Sequence, residues 1–402
     1  MDRLRFKDEN GKEFPGWHRV SVGKICDIKK GQQLNKLDMD DNTEIPVLNG
    51  GISISGYTDH WNRDGETIAI SEGGNSCGHI SFIKGKFWSG GHNYTLHNYN
   101  LDTFFLYNLL KANELRIKRL RVGSGLPNIQ KRDLIKYNIS IPQAHKEQEK
   151  IGGFLSAFDR LIEKQREKVE LLKKSKKGYS QQIFNRTLRF KDENGNEFPG
   201  WTKLRLDKAI ETITDFVAAG SFAGLRENVK YYNEKNYAQL IRTVDIKSKF
   251  SNNSFVYVDQ KGFDYLHKVN LKEECIILPN IGANIGEVYH IRSSELPLQH
   301  NVLGPNAILL RSITCSNTFL YNAFKSSFFQ KELVKVVAST GQPKFNKTEL
   351  RMISMLLPCK EEQIKVSKFL EALDGFFEKE SAILNHYETL KKGYLQRLFF
   401  SG

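Results

Sequence analysis

The feature that most constrains this chain of 402 residues is an internal repeat. Residues 4–17 recur as residues 188–201 with 13 of 14 positions identical, and only Lys12 and Asn196 differ. A second match lies at the end of each half. Pro142 and the residues that follow it correspond to Pro358 and the residues that follow it, at an offset of 215 or 216. A repeat fixes the architecture before any single element is assigned. The sequence therefore predicts two copies of one unit instead of a single core.

The middle parts of the two halves differ in sequence and in length. Among the few matches there are a spaced glycine pair, Gly74 and Gly78 against Gly282 and Gly286, and the dipeptide His92-Asn93 against His300-Asn301. We therefore expect the two middle parts to have similar folds and to recognise different ligands. The predicted segments are a lead segment 1–17, a first module 18–143, a central helix 144–187, a second lead segment 188–201, a second module 202–358 and a distal helix 359–402.

A heptad pattern runs through the stretch behind each proline. Gaps of four and three residues separate the apolar positions, and this 3.5-residue period predicts helices that pair with a partner helix. Gln165 and Lys176 interrupt the first seam where Glu380 and Lys391 interrupt the second. We favour an antiparallel pair within the chain, and the alternative is two amphipathic helices that each pack on their own module. The apolar seam positions are Ile151, Leu155, Phe158, Ile162, Val169, Leu172, Tyr179, Ile183, Val366, Leu370, Leu373, Phe377, Leu384, Tyr387, Tyr394 and Leu398.

Each module mixes short β-like runs with a helical stretch. The runs 66–71, 79–83, 254–258 and 275–278 are typical of strands, and residues 103–121 are predicted as a helix. The predicted fold class is α+β. It has two α/β-mixed modules separated by two long antiparallel coiled-coil helices, related as a pseudo-twofold internal repeat.

The composition narrows the class of protein. Sixty Lys and Arg residues against 46 Asp and Glu residues leave a net charge of +14, which favours a nucleic-acid or acidic partner. The five cysteines are odd in number and form no C-x-x-C pair, so they predict buried thiols and neither a disulfide framework nor a zinc site. The start of the chain lacks the apolar stretch of a signal peptide, and no apolar run approaches about 20 residues, so we expect a cytoplasmic protein.

No catalytic centre or metal site is predicted. Gly73 and Gly78 have the spacing of a phosphate-binding loop, but His79 and Ile80 stand where that loop needs Lys and Ser or Thr, so we predict a tight turn between strands. Asp27-Ile-Lys29 and Asp245-Ile-Lys247 lack the Pro-Asp dipeptide of a nuclease site.

The cations near residue 120 have two explanations, a phosphate contact or a solvated helix end. The candidate DNA-binding residues are the polar and basic residues Asn49, Ser71, Asn75, Ser76, His92, Asn93, Arg116, Lys118, Arg119, Arg121, Arg242, Thr243, Asn280, Asn284, His300, Asn301 and Lys344.

Several motifs together resemble the specificity subunit of type I restriction-modification systems. They are the Phe-Pro-Gly-Trp lead, the Lys-Lys-Gly-Tyr sequence near the end of each helix, and the two series Gly125-Leu-Pro127, Ile141-Pro142, Glu147-Gln148 and Gly341-Gln-Pro343, Leu357-Pro358, Glu362-Gln363. The resemblance covers nearly the whole chain.

The resemblance implies a non-catalytic subunit that reads double-stranded DNA. Each module would be a target-recognition domain for one half of an interrupted, asymmetric target. The helices would set the gap and bind two modification (methyltransferase) subunits, which restriction (ATP-dependent translocase and nuclease) subunits would join. S-adenosylmethionine, ATP and Mg²⁺ would be cofactors of those partners, and this chain would hold none. No base-contacting residue is carried over by position.

Two other functions stay open on the residues alone. A tandem-module coiled-coil scaffold could bind two protein ligands, its positive charge being incidental. DNA affinity that falls with salt with a slope of about −0.9 per phosphate contact would oppose this scaffold. A nuclease with a degenerate site is the third alternative, and cleavage of DNA by the chain with Mg²⁺ alone would support it.

Overall fold

The computed structural model describes residues 4–123, 125–251, 254–337 and 342–400. The chain divides into two compact units, Met1–Lys168 with Glu380–Gly402 and Val169–Lys379. The two boundaries therefore fall inside the two 40-residue helices of the chain. Each unit contains one module and part of both helices.

The first unit contains one small sheet, one larger sheet and a separate strand pair. The strand β1 pairs antiparallel with β9, the larger sheet has the order β2-β8-β5-β6, and the smaller has the order β4-β3-β7 with β3 parallel to β7. Its elements, with the long helix that follows it, are β1 Trp17–Ser21, α1 Val22–Ile25, β2 Asp27–Lys30, β3 Ile45–Leu48, β4 Gly56–Thr58, β5 Thr67–Ser71, β6 Ile80–Ile83, β7 Trp88–Ser89, β8 Asn93–His97, α2 Thr103–Ala112, α3 Glu114–Lys118, α4 Lys131–Lys136, β9 Asn138–Pro142 and α5 His145–Phe184.

The second unit repeats this topology with three inserted helices, α7, α8 and α9. The corresponding sheets are β10-β18, β11-β17-β14-β15 and β13-β12-β16, and β12 is parallel to β16. Its elements, with the long helix that follows it, are β10 Thr202–Arg205, α6 Leu206–Ala209, β11 Thr212–Asp215, α7 Phe222–Asn228, β12 Ala238–Ile241, α8 Thr243–Lys247, β13 Val256–Val258, α9 Gln260–Tyr265, β14 Cys275–Pro279, β15 Tyr289–Ile291, β16 Asn301–Leu303, β17 Ala307–Arg311, α10 Asn317–Lys325, α11 Ser327–Val336, α12 Lys347–Met352, β18 Ser354–Leu357 and α13 Lys360–Phe399.

The helix predicted over 103–121 is interrupted. It consists of α2 and α3, separated at Asn113, whose backbone leaves the helical region at φ −86° and ψ 3°. The Asn113 side chain donates a hydrogen bond to the Leu109 carbonyl, a local bond that competes with the regular helix. The prediction of one continuous helix was therefore wrong.

The main core of each unit includes residues of both long helices. In the first unit Ile151 and Leu155 of α5 and Leu398 and Phe399 of α13 pack with the strands and α2. In the second unit Ile183 of α5 joins Val366 and Leu370 of α13 in the same way. The helices thus complete the cores of the modules in addition to pairing with each other.

Polar groups in the seam join the two helices within each unit. In the first unit Gln165 donates to Glu380 Oε2 at 2.6 Å, and Lys391 forms an ion pair with Asp159. In the second unit Lys176 forms an ion pair with Asp374. Lys176 and Asp374 are the repeat equivalents of Lys391 and Asp159, so the same ion pair is made twice. α5 and α13 run antiparallel in both units, because their contacts advance along one helix as they recede along the other. Among the predicted apolar seam residues, only Tyr179 is exposed.

A hairpin precedes each module, and we call residues 4–17 and 188–201 the lead hairpins. An isolated bridge joins Lys7 to Glu13 and, in the second, Lys191 to Glu197. Arg5 donates two hydrogen bonds to the carboxylate of Glu147, at 3.1 and 2.8 Å, and Trp17 Nε1 lies 3.4 Å from the same carboxylate.

Arg189, Glu362 and Trp201 repeat this arrangement. Both carboxylates are fully buried, and their hydrogen bonds raise the pKa of each guanidinium.

Four of the five cysteines are buried, and Cys359 is partly exposed. Burial raises the pKa of Cys26 to about 12. In the part of the chain that the structure describes, no helix combines the length and the apolar character needed to span a membrane.

A lysine at position 155 is expected to destabilise the first unit. Leu155 is fully buried in the core, so Leu155→Lys removes apolar contacts and buries a charge, at a cost of about 3 to 5 kcal/mol. Leu161→Lys is the control, because Leu161 lies on the same helix but is half exposed, and we expect a cost of about 0.5 kcal/mol or less. Urea unfolding of both variants measures the difference, and equal losses would contradict the assigned packing.

Candidate nucleic-acid interface

A glycine-containing loop and a Gly-x-Pro segment are joined by main-chain hydrogen bonds in the first unit. The loop connects β5 to β6, as the sequence predicted for a turn between strands. Gly74 N donates to the Pro127 carbonyl at 2.9 Å, and Ile129 N donates to the Glu72 carbonyl at 2.8 Å. We call this pair of segments the loop frame.

The second unit builds the same frame from its own residues. Gly282 N donates to the Pro343 carbonyl at 2.9 Å, and Phe345 N donates to the Asn280 carbonyl at 3.0 Å. The loop here connects β14 to β15. Gly341, the first residue of this Gly-x-Pro segment, lies outside the described residues.

Glycine is required at the end of each loop. Gly78 and Gly286 have φ of +82° and +92°, a region that other residues rarely adopt. A Cβ on Gly78 would lie 2.9 Å from the Cα of Lys118, and one on Gly286 would lie 2.9 Å from Gln330 Oε1. Each loop therefore needs a glycine at this position, whichever side chains the rest of the loop frame has.

The polar residues predicted in the first loop divide into structural and exposed ones. Ser71 is buried, and its hydroxyl donates to the Gly50 carbonyl, as does that of Ser76 at 2.6 Å. Asn75 is exposed at the tip of the loop. Asn49 lies outside this loop, directly after β3; it is partly buried, and its Oδ1 has no hydrogen-bond partner among the described residues.

The four predicted cations of this unit do not form one group. Lys118 Nζ donates to the Asn75 carbonyl at 3.4 Å, and Arg119 and Arg121 are exposed in the chain segment just before the Gly-x-Pro segment. Burial raises the pKa of Cys77, whereas the charges of Arg121 and Lys118 lower it. Arg116 instead lies 4.3 Å from the centre of the Phe400 ring.

His92 is exposed next to the frame, with Nδ1 3.8 Å from the Glu72 carboxylate. Glu72 also accepts hydrogen bonds from Lys30 Nζ at 2.7 Å and Tyr94 at 2.8 Å. Burial first, and then the bond to Glu72, raises the pKa of Tyr94. Asn93 is buried and donates to Ser89 at 3.2 Å, so its side chain does not reach solvent.

The predicted equivalence of His92-Asn93 with His300-Asn301 is wrong. Asn93 begins β8, which pairs with β5, whereas Asn301 begins β16, which pairs with β12. The strand equivalent to β8 is β17, because it pairs with β14 as β8 pairs with β5. The identical dipeptide therefore occupies positions that are not equivalent in the two modules.

His300 and Asn301 have structural surroundings in the second unit. The His300 ring stacks on Tyr237, with ring centres 4.6 Å apart, and meets the edge of Phe263 at 5.2 Å. Asn301 is buried and donates to the Leu298 carbonyl at 2.5 Å.

Three predicted residues lie at the second frame. Asn280 donates to the Phe345 carbonyl at 2.9 Å, while its buried Oδ1 has no partner among the described residues. Asn284 accepts a hydrogen bond from Lys247 Nζ at 3.2 Å, and Lys344 is exposed. A cavity of about 470 Å³ adjoins Asn280 and is lined by apolar side chains that the sequence interpretation missed, among them Phe216, Phe222 and Tyr231.

Arg242 has a structural partner. Its guanidinium donates to the fully buried carboxylate of Asp245 at 3.0 and 2.7 Å and to the Ser254 carbonyl at 2.6 Å. These bonds to Asp245 raise the pKa of Arg242. The neighbouring Thr243 is partly buried and begins α8.

An exposed aromatic residue of the first unit was also missed. The Trp61 ring is half exposed, and Lys86 Nζ lies 3.7 Å from its centre. The sequence feature that could have indicated this residue is an isolated tryptophan in a polar loop. Among the described residues no group of three or more His, Cys, Asp or Glu side chains could hold a metal ion.

Replacing Arg242 is expected to affect folding. Arg242→Met would leave the buried Asp245 carboxylate without its cation, at a cost of about 3 to 5 kcal/mol. Lys344→Met, an exposed position of the same unit, is the control and is expected to change stability by no more than about 0.5 kcal/mol. Chemical denaturation compares the two, and a stable Arg242→Met protein would show that the ion pair is unimportant for the fold.

Comparison with known proteins identifies the family. The model of the type I restriction modification DNA specificity domain matches residues 15–173 and 213–388. A type I specificity subunit of Mycoplasma genitalium is 25% identical over 392 residues, which cover 95% of this chain and 94% of that protein. The specificity subunit of the type I restriction enzyme MjaVIII of Methanocaldococcus jannaschii is 26% identical over 307 residues, covering 72% of this chain and 67% of that one.

A solved structure has the same fold. The crystal structure of a type I restriction-modification S subunit from M. genitalium matches with a TM-score of 0.66 at 22% identity, over 100% of both chains. The family match covers most of the chain and includes both modules. This chain therefore belongs to the family of type I restriction-modification DNA specificity subunits.

Proposed function

We propose that each unit reads one half of an interrupted, asymmetric DNA target through its loop frame. The observation that carries this proposal is that both frames have the same main-chain hydrogen bonds but different side chains. The first frame presents Asn75, Arg119 and Arg121, and the second presents Asn284 and Lys344. Base identity is read by side chains in the grooves of DNA, so two such frames specify two different half-sites.

The charge of the chain supports a DNA ligand. Residues 18–144 have 16 basic against 12 acidic side chains, residues 145–187 have 11 against 6, and residues 202–359 have 20 against 14. Contacts from such cations to phosphates provide most of the sequence-independent affinity for DNA. The scaffold alternative would require that this positive charge has no function. The family membership does not favour that alternative.

In this proposal the chain is a non-catalytic subunit. Two modification subunits bind it through the long helices and perform the methylation, and restriction subunits join that complex. S-adenosylmethionine, ATP and Mg²⁺ are cofactors of those partners, and this chain contributes the choice of target. A modification enzyme that acts on a base within a duplex must first extrude it, and we assign that step to the partner.

The first experiment expresses this chain with its cognate modification subunit in a host without restriction. Sequencing of methylated bases is expected to show a new bipartite motif with two different halves, present only when both genes are expressed. The control host lacks this chain. If no motif appears while the same modification subunit is active with another specificity subunit, the scaffold function is favoured.

The helices are expected to set the gap between the half-sites. Each helix pairs with the other in both units, so a lengthened spacer needs seven residues after Lys168 and seven after Lys379, which preserves the heptad seam. One heptad adds about 10 Å at 1.5 Å per residue, or roughly 3 bp of DNA. We expect a methylated motif with unchanged halves and a longer gap. Changed half-sites would contradict the assignment of recognition to the modules.

A further inference from the structure

The near identity of the two lead hairpins exceeds what their own folding requires. Part of it has a structural reason in both copies. Arg5 and Trp17 hold the buried Glu147, and Asp8 Oδ1 accepts the Asn10 and Lys12 amides at 2.9 and 2.8 Å, which closes the turn. Gly11 has a φ of +77°, which favours glycine. The same bonds recur around Arg189 and Asp192.

Three further identical residues point to solvent. The side chains of Lys7, Glu9 and Asn10 are exposed in the first hairpin and make no hydrogen bond or ion pair within the described residues. Their copies in the second hairpin, Lys191, Glu193 and Asn194, have the same exposure. These positions could vary without any loss of internal contacts.

An exposed glycine of each hairpin supports this conclusion. A Cβ on Gly16 would have no atom within 4 Å, and neither would one on Gly200. The φ of both residues lies outside the left-handed region, so other residues could adopt it. A small residue kept at an open position is expected where another molecule approaches the backbone closely.

The next residues of the chain provide a comparison. The strands β1 and β10 follow the hairpins directly and pair with β9 and β18 in the same register. Yet after the shared tryptophan their sequences, His18-Arg-Val-Ser21 and Thr202-Lys-Leu-Arg205, agree at no position. The same structure in the two units does not by itself require the same sequence.

We propose that the exposed residues Lys7, Glu9, Asn10 and Gly16 of the first lead hairpin, and their copies in the second, are a docking surface for the modification subunit that it needs in addition to the long helices. Two equal surfaces on a chain whose modules differ fit one kind of partner present in two copies. The first hairpin has three acidic and three basic residues and the second has three acidic and two basic residues, so neither has the net positive charge that a DNA backbone attracts. The proposal rests on the proposed function, which supplies a partner of this stoichiometry.

The test uses the full chain and its cognate modification subunit. The variants are Glu9→Arg with Asn10→Arg, Glu193→Arg with Asn194→Arg, and all four substitutions together. Native mass spectrometry is expected to count two modification subunits on the unaltered chain, one on each double variant and none on the fourfold variant. We expect the apparent Kd at an altered hairpin to rise at least tenfold, because opposed charges and steric bulk are placed in a protein contact.

Lys12→Glu is the matched control, because it reverses a charge at the one position where the hairpins differ. It should leave two modification subunits bound. Thermal unfolding and DNA binding should be unchanged in every variant, and if a double variant does not fold, Gly16→Gln with Gly200→Gln takes its place. Two subunits bound to a folded fourfold or glycine variant would overturn the docking surface and leave the identity as a remnant of duplication. An unaltered chain that binds neither DNA nor the modification subunit would instead overturn the proposed function.

Discussion

The rest of each unit depends on one buried ion pair at the beginning of its long helix. Glu147 and Glu362 are fully buried, and each is neutralised by an arginine and contacted by a tryptophan of the preceding lead hairpin. A buried carboxylate is costly unless it is paired and hydrogen-bonded, so the helix cannot be seated in the module without the hairpin. The sequence motif that begins each half therefore positions the helix that ends it.

The fixed and variable parts of the molecule follow from this arrangement. Hairpins, long helices and loop frames are held by contacts that recur in both units, down to the ion pairs Asp159 with Lys391 and Asp374 with Lys176. The side chains around the frames do not recur. A main-chain frame whose glycines fix its shape can accept many different side chains, which is the physical requirement of a family whose members read different targets.

Patterns along the chain predicted the architecture, but not the surroundings of single side chains. The repeat and the heptads indicated the units and the helices, and the turn between Ser71 and His79 was confirmed. Arg242 was a candidate DNA-binding residue and Asp245 was not a candidate, and only the structure shows that the two form an ion pair. The shared dipeptide predicted that His300 is equivalent to His92. That prediction failed because strand pairing, and not a shared dipeptide, decides which residues are equivalent. The break at Asn113 depends on a local hydrogen bond that periodicity does not register.

The composition of the first unit has a consequence for synthesis on the ribosome. Leu398 and Phe399, from the end of the chain, complete a core that begins with Val22. The second unit consists of one continuous segment, Val169–Lys379, and is complete earlier. Although domains generally fold as they are made, from the N-terminus onward, here the earlier module must wait until the end of α13 has been synthesised. The nascent first unit keeps an uncovered apolar surface until Leu398 and Phe399 can pack on it, which is later in synthesis than the completion of the second unit.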